Sequence, residues 1–156
     1  MDETDDALTA LHPNHVKVTR ISAMLFALPF VIGSIILETA QIVPFGVFVI
    51  PVVLAAGFLI LRVPLRRYHA RGYAMSADRL RVVRGIMFHS DTVVPFGRVQ
   101  HIDVNQGPLQ RAYGIATLTV HTAGTHNASV HLPGLGNDDA MAMRETIRAH
   151  IKRETL

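Results

Sequence analysis

The pattern of apolar and polar positions changes character once along this chain, near residue 62. Before that point lie two long apolar runs. ISAMLFALPFVIGSIIL holds 17 uncharged residues from Ile21 to Leu37, and IVPFGVFVIPVVLAAGFLIL holds 20 from Ile42 to Leu61, with the polar break ETAQ between them. About 20 apolar residues rising 1.5 Å each cross a hydrocarbon core of roughly 30 Å. Val18 and Thr19 bring the first run close to that length. One helix through both runs would be about twice the bilayer thickness. It would also set Glu38 at depth, where an acidic residue costs about 2.5–3.5 kcal/mol. The pattern predicts a transmembrane α-hairpin over 18–61, with spans at about 18–37 and 42–61, behind an acidic N-terminal segment, 1–17.

Beyond residue 62 the period becomes two. In RLRVVRG, Leu80 and Val82 alternate with arginines; in RVQHIDV, Ile102 and Val104 share a face. IATLTVHT sets Ala116, Leu118 and Val120 against Thr117, Thr119 and His121, as a half-buried strand does. Turn signals at Ala77-Asp78, Gly85 and TAGTHNAS separate these runs. Short strands with no helix between them pair antiparallel, in a sandwich or partly open barrel.

The chain ends differently. Asn137 or Asp138 caps a helix in which Met143, Ile147 and Ile151 recur at i, i+4 and i+8, with Ala140 and His150 beside them. That is one apolar stripe. Asp138 and Asp139 at its start and Arg148, Lys152 and Arg153 near its end suit the helix dipole. The stripe closes one end of the β domain, which spans 62–156.

The stretch QGPLQRAYG, 106–114, reads as a corner between strands. Pro108 suits the first position of a helical turn, Leu109 and Tyr113 then share its buried face, and Gly114 permits a left-handed exit. Arg111 is left over, to bond carbonyls at the corner or to project toward a partner.

Charge decides orientation. Lys17 and Arg20 precede the first span, Arg62, Arg66, Arg67 and Arg71 follow the second, and the turn between carries no Lys or Arg. The positive-inside rule places both termini in the cytoplasm of a multi-pass protein of the cell membrane. His12 and His15 lie at the membrane edge of the first span. The segment RVPLRRYHAR gains about 1 kcal/mol per basic residue near an anionic leaflet. MDETDD is the wrong start for a signal peptide. No ionisable side chain falls within either apolar run, 21–37 or 42–61, so there is no candidate proton or ion relay.

Composition narrows the chemistry. Formal charge is only +3, charged residues are 17%, and no basic stretch is interleaved with aromatics, so nucleic acid is not an expected partner. The absence of cysteine excludes thiol catalysis and cysteine-bound metals. Nine histidines invite a metal reading, and in HTAGTHNASVH, His121, His126 and His131 stand five apart. His121 and His131 could face each other across a hairpin, but His126 at the turn points elsewhere and no carboxylate completes a ligand set. His101 and Asp103 share a strand face, as a general base pair can, without a nucleophile or pocket. There is no Gly-x-Ser-x-Gly and no glycine-rich phosphate loop, and the sequon at Asn127 is a chance match. The sequence predicts no enzyme, no cofactor, no metal and no small-molecule substrate.

Two longer runs, VVPFGRVQHIDVNQGPLQRAYGIATLTVHTAG (93–124) and HLPGLGNDDAMAMRETI (131–147), resemble the bacterial PH-like domain of the YdbS-like membrane proteins. The family pattern is matched at Pro95, Arg98 and Gln100, at Pro108 to Gly114, at Thr122 to Gly124 and at Pro133 to Leu135, with Tyr113 where phenylalanine is common. The paired spans ahead of the domain match the family layout as well. The resemblance implies a strongly bent antiparallel sheet of about seven strands capped by a C-terminal helix, and no known chemistry. It also implies an interaction or assembly module, joined to itself or to a partner PH-like membrane protein, since family members occur beside proteins carrying tandem copies. The alternative is anionic headgroup binding, by Arg79, Arg81 and Arg84 or by Arg66, Arg67 and Arg71. The binding candidates are Arg98, Arg111, Arg66, Arg67 and Arg71.

Overall fold

The computed structural model describes residues 7–42, 44–123 and 129–154. It separates into two units, Val16–Arg66 and a second built from Met1–His15 with Arg67–Leu156.

The first unit is carried by α1 (Asn14–Thr39) and α2 (Val49–His69). Both are long and apolar enough to cross a membrane. Their apolar side chains face outward, with Phe26 70% and Leu54 68% exposed. Ser34, the buried hydroxyl of α1, donates to the carbonyl of Val31 at 2.8 Å. The second helix starts at Val49 and not at residue 42. Gln41 and Gly46 take positive φ, 53° and 95°, and the chain turns there before Glu38 caps the new helix. The Glu38 carboxylate accepts from the amide of Gly46 and, at 3.1 Å, from that of Val49. The apolar part of α2, residues 49–61, is therefore roughly 20 Å long, and Arg62, Arg66 and Arg67 continue the same helix.

The second unit holds two three-stranded antiparallel sheets. One has the order β1 (Arg71–Met75), β2 (Arg79–Arg84), β3 (Ser90–Pro95), and the other β4 (Val99–Asn105), β5 (Ile115–Thr122), β6 (Ser129–Gly136). A 3-10 turn at Phe96–Arg98 joins them. The helix α3 (Pro108–Ala112) fills the β4–β5 corner, and α4 (Asn137–Glu154) ends the fold. Leu80, Val82, Leu118 and Val120 point inward at 1% exposure or less, as their period of two requires. Ala140, Met143 and Ile147 of α4 close the core, and His150 packs edge-on against the buried ring of Phe96.

This is the bent-sheet and capping-helix architecture, with six strands among the described residues where about seven are implied. Thr9 and Tyr73 exchange both backbone hydrogen bonds, at 2.7 and 3.1 Å, as a single bridge on the edge of β1. The chain then leaves β1, and the His12 amide reaches the carbonyl of Gly134 in β6 at 2.7 Å. A segment that crosses from one sheet to the other cannot extend a ladder on either. Leu11, between these points, is 2% exposed within the core. Residues 7–15, which the sequence places in a segment ahead of the hairpin, fold with the β domain. His15 packs on Gly134 (φ 75°), where an added Cβ would lie 2.6 Å from the imidazole.

Candidate functional site

Each candidate arginine takes a distinct place. Arg79 is bound to Asp78 at 2.9 Å, and Arg81 forks onto Asp91 at 2.6 Å across β2 and β3. Their guanidinium groups hold both carboxyls below the usual range, chiefly by direct hydrogen bonding. Two of the three arginines of RLRVVR are thus satisfied by acids of the same hairpin. They offer little to an external anion.

The third behaves differently. Arg84 ends β2, directly opposite Arg71, the first residue of β1. Directly opposed like charges on a sheet repel. Arg67, in the last turn of α2 and four residues ahead of Arg71, joins the group. Burial, then the charges of Arg67 and Arg84, lower the Arg71 pKa. Arginine nevertheless stays protonated, so the repulsion is carried by the fold. Among the described residues no carboxylate bonds to Arg67, Arg71 or Arg84. The sequence pattern groups Arg67 and Arg71 with Arg66, and Arg84 with Arg79 and Arg81; the β1–β2 register regroups them.

Arg66, Arg98 and Arg111 are exposed. Arg66 precedes Arg67 on α2, whereas Arg98 lies on the 3-10 turn and Arg111 on α3. At the corner, Gln110 accepts from the Gly107 amide at 2.9 Å and donates to Thr117 at 3.1 Å. Gln106 donates to the Ile115 carbonyl at 2.9 Å, and Asn14 to that of Tyr113 at 3.0 Å. Gln106 and Asn14 thus donate to carbonyls at the corner, one of the two roles open to Arg111. Leu109 and Tyr113 are half-buried, not buried, because a single turn leaves one side open to solvent.

Beside the arginine cluster stands the loop that follows the break at Gly85. Gly85 follows Arg84, and its amide donates to the carbonyl of Ala70 at 3.0 Å. Ile86, Met87 and Phe88 then project outward, 52%, 85% and 84% exposed. Three successive large apolar residues in a hairpin loop, with no turn residue among them, were the available signal.

The histidines do not assemble as their spacing suggests. His131 lies opposite Thr119 and bonds to its hydroxyl at 3.0 Å, while His121 lies opposite Ser129. His121 instead faces His101 of β4, and both touch the Asp103 carboxylate, at 3.3 and 2.9 Å. The three side chains are 40–70% exposed. His126 and Asn127 lie outside the described residues. Among the described residues no cluster of three or more such side chains is arranged to hold a metal ion.

Most of the sequence that carries these elements is matched by a known family. The sequence pattern described as "Bacterial PH domain" aligns with residues 23–151. The chain belongs to the bacterial PH domain family. Within it, the chain is 32% identical over 85 residues to "UPF0699 transmembrane protein YdbS" of Bacillus subtilis (strain 168). That alignment covers 54% of this chain and 52% of YdbS, so the chain spans about half the length of that relative. Among solved structures it is similar to a DUF1696 family protein with a pleckstrin-homology domain from Shewanella loihica PV-4. There the identity is 17%, the TM-score 0.42, and the coverage 55% of this chain and 74% of that one. The bacterial PH domain family is not a known enzyme class.

Proposed function

We propose that this bacterial PH domain chain is a non-enzymatic, multi-pass protein of the cell membrane whose β domain docks on anionic headgroups of the cytoplasmic leaflet. The observation that carries this reading is the cluster of Arg67, Arg71 and Arg84, brought together by the β1–β2 register. Guanidinium groups bind phosphate through paired N–H donors, and a bound phosphate would relieve the repulsion that the cluster stores. The cluster begins on α2, in the turns that follow the apolar stretch, where positive charge meets an anionic leaflet. Residues 11 and 68 both belong to the β domain, which favours an even number of crossings for the chain between them.

The chain has no cysteine, so Ser90→Cys, at the exposed start of β3, gives a single reporter. Full-length protein is reconstituted in phosphatidylcholine vesicles with or without phosphatidylglycerol and labelled with a maleimide. Labelling is expected to slow in the anionic vesicles and to recover in high salt, which shortens the Debye length from about 10 Å at 0.1 M to about 3 Å at 1 M. Arg67→Gln, Arg71→Gln and Arg84→Gln together should abolish the difference. A rate independent of lipid composition overturns the proposal.

A second reading is assembly with another copy or with a partner PH-like membrane protein. It is favoured by β3, which forms a sheet edge with Val93 50% exposed, a geometry that accepts an added strand. Crosslinking through Val93→Cys in native membranes tests it. A strictly monomeric protein with no captured partner rejects it.

A further inference from the structure

Ile86, Met87 and Phe88 contribute nothing to the core, which Leu80, Val82, Val94 and Phe96 fill from the same sheet. Their outward course follows from the closure of the loop at Gly85. An added Cβ there would lie 2.9 Å from both the Phe88 carbonyl oxygen and the His89 Cα, so the backbone of the loop returns against its own root. The intervening side chains have nowhere to turn but out. Solvated loops of this kind ordinarily carry Gly, Asn, Asp or Ser. Contiguous exposed apolar side chains mark a surface that is covered in use.

Two features identify what covers it. The loop is rooted by the Gly85–Ala70 hydrogen bond, and Ala70 directly follows His69, the last residue of α2. The loop is therefore rooted at the end of α2, a helix long and apolar enough to cross a membrane. Its base is ringed by the arginines of the proposed headgroup site, Arg84 adjoining Gly85 in the chain and Arg71 paired with Arg84. An apolar tip with a basic collar matches the lipid–water boundary, where acyl chains lie just beneath phosphates. A partner protein with an apolar pocket would supply the first half of that match and needs acidic groups for the second.

We infer that Ile86, Met87 and Phe88 form a wedge that inserts into the headgroup layer of the anionic leaflet, while Arg67, Arg71 and Arg84 hold lipid phosphates at its base. The inference rests on the headgroup reading and adds apolar insertion at a defined loop.

The chain contains no tryptophan, so Phe88→Trp places a single indole at the tip. Full-length protein carrying this change is reconstituted in vesicles of phosphatidylcholine with phosphatidylglycerol, with ordinary or brominated acyl chains. A blue-shifted emission, quenched by the brominated chains, is expected. Emission typical of indole in water, unaffected by bromine, overturns the wedge. If salt-sensitive protection of Ser90→Cys persists in that case, the headgroup site stands without it. Quenching that survives the triple arginine variant supports insertion and overturns the arginine reading. A blue shift without bromine quenching that grows with protein density places the tip against another protein, and also overturns the wedge. Met87→Ser with Phe88→Ser, outside the core and expected to leave the melting temperature unchanged, should restore Ser90→Cys labelling to its rate in neutral vesicles; unchanged protection counts against the wedge.

Discussion

Tyr68 donates its phenolic hydroxyl to the main-chain carbonyl of Leu11 at 2.8 Å. The two residues lie 57 positions apart, one ahead of α1 and the other in the last turn of α2, so this bond ties the chain leaving the β domain to the chain re-entering it. Tyr68→Phe keeps the ring and leaves a part-buried carbonyl without its donor, a loss of about 0.5–1.5 kcal/mol. Leu11→Ala removes a core side chain and should cost about 2–5 kcal/mol. Thermal melting of the full-length protein in detergent should rank wild type above Tyr68→Phe and Tyr68→Phe above Leu11→Ala.

The same tie gives a topological expectation. Thr39 lies at the exposed end of α1, and Lys152 is exposed on α4. In intact cells, Thr39→Cys should react with an impermeant maleimide from outside, while Lys152→Cys should react only after permeabilisation. Labelling of Lys152→Cys in intact cells would place the domain on the opposite face.

How much of this was legible in the sequence divides along physical lines. Strand faces and the α4 stripe were readable because burial repeats with a local period: Leu80, Val82, Met143 and Ile147 all point inward as their spacing requires. The start of α2 was not, because an apolar run has the same composition whether it is helix or turn. Only the positive φ of Gly46 and the reach of Glu38 mark the boundary. The arginines show the same limit. Alternation puts Arg79 and Arg81 on one face of β2, yet the meeting of Arg81 with Asp91 and of Arg84 with Arg71 depends on cross-strand register. Leu11 lies in a polar-looking segment, and its burial depends on contacts more than fifty residues away.

Glu38 joins the two helices of the hairpin through the amides of Gly46 and Val49. A carboxylate at a helix N-terminus satisfies donors that have no intrahelical partner and complements the dipole. Glu38→Ala should cost about 0.5–2 kcal/mol, the range for loss of an N-terminal cap. Glu38→Gln keeps one acceptor and should lose less. Far-ultraviolet melting in detergent, with proteolysis at the turn as a second readout, checks the order.

Acid should weaken the β domain through Asp78 and Asp91. Both have folded-state pKa values depressed by arginine hydrogen bonds, so the unfolded chain takes up protons first. Their stabilisation is present above the unfolded value of about 3.9 and is lost as pH falls through the lower folded values. Asp91→Asn should lower stability at neutral pH and reduce the further loss below about pH 4. Denaturant unfolding of both proteins at a series of pH values measures the two slopes; parallel slopes would remove Asp91 as a source of the acid sensitivity.

Arg84→Gln separates what the fold prefers from what the proposed site needs. Arg84 and Arg71 are directly paired like charges, and such pairs are unfavourable. With no carboxylate bonded to either among the described residues, replacing one guanidinium by a neutral amide of similar reach should raise the melting temperature in a zwitterionic detergent. In anionic vesicles the same variant should lose part of the salt-sensitive protection at Ser90→Cys, because one of three cations on the lipid phosphates is gone. An ordinary surface arginine would show neither effect, and a purely structural one would show destabilisation in both media. Opposite signs in the two media are the signature of a cluster kept against its own repulsion for an anion outside the protein.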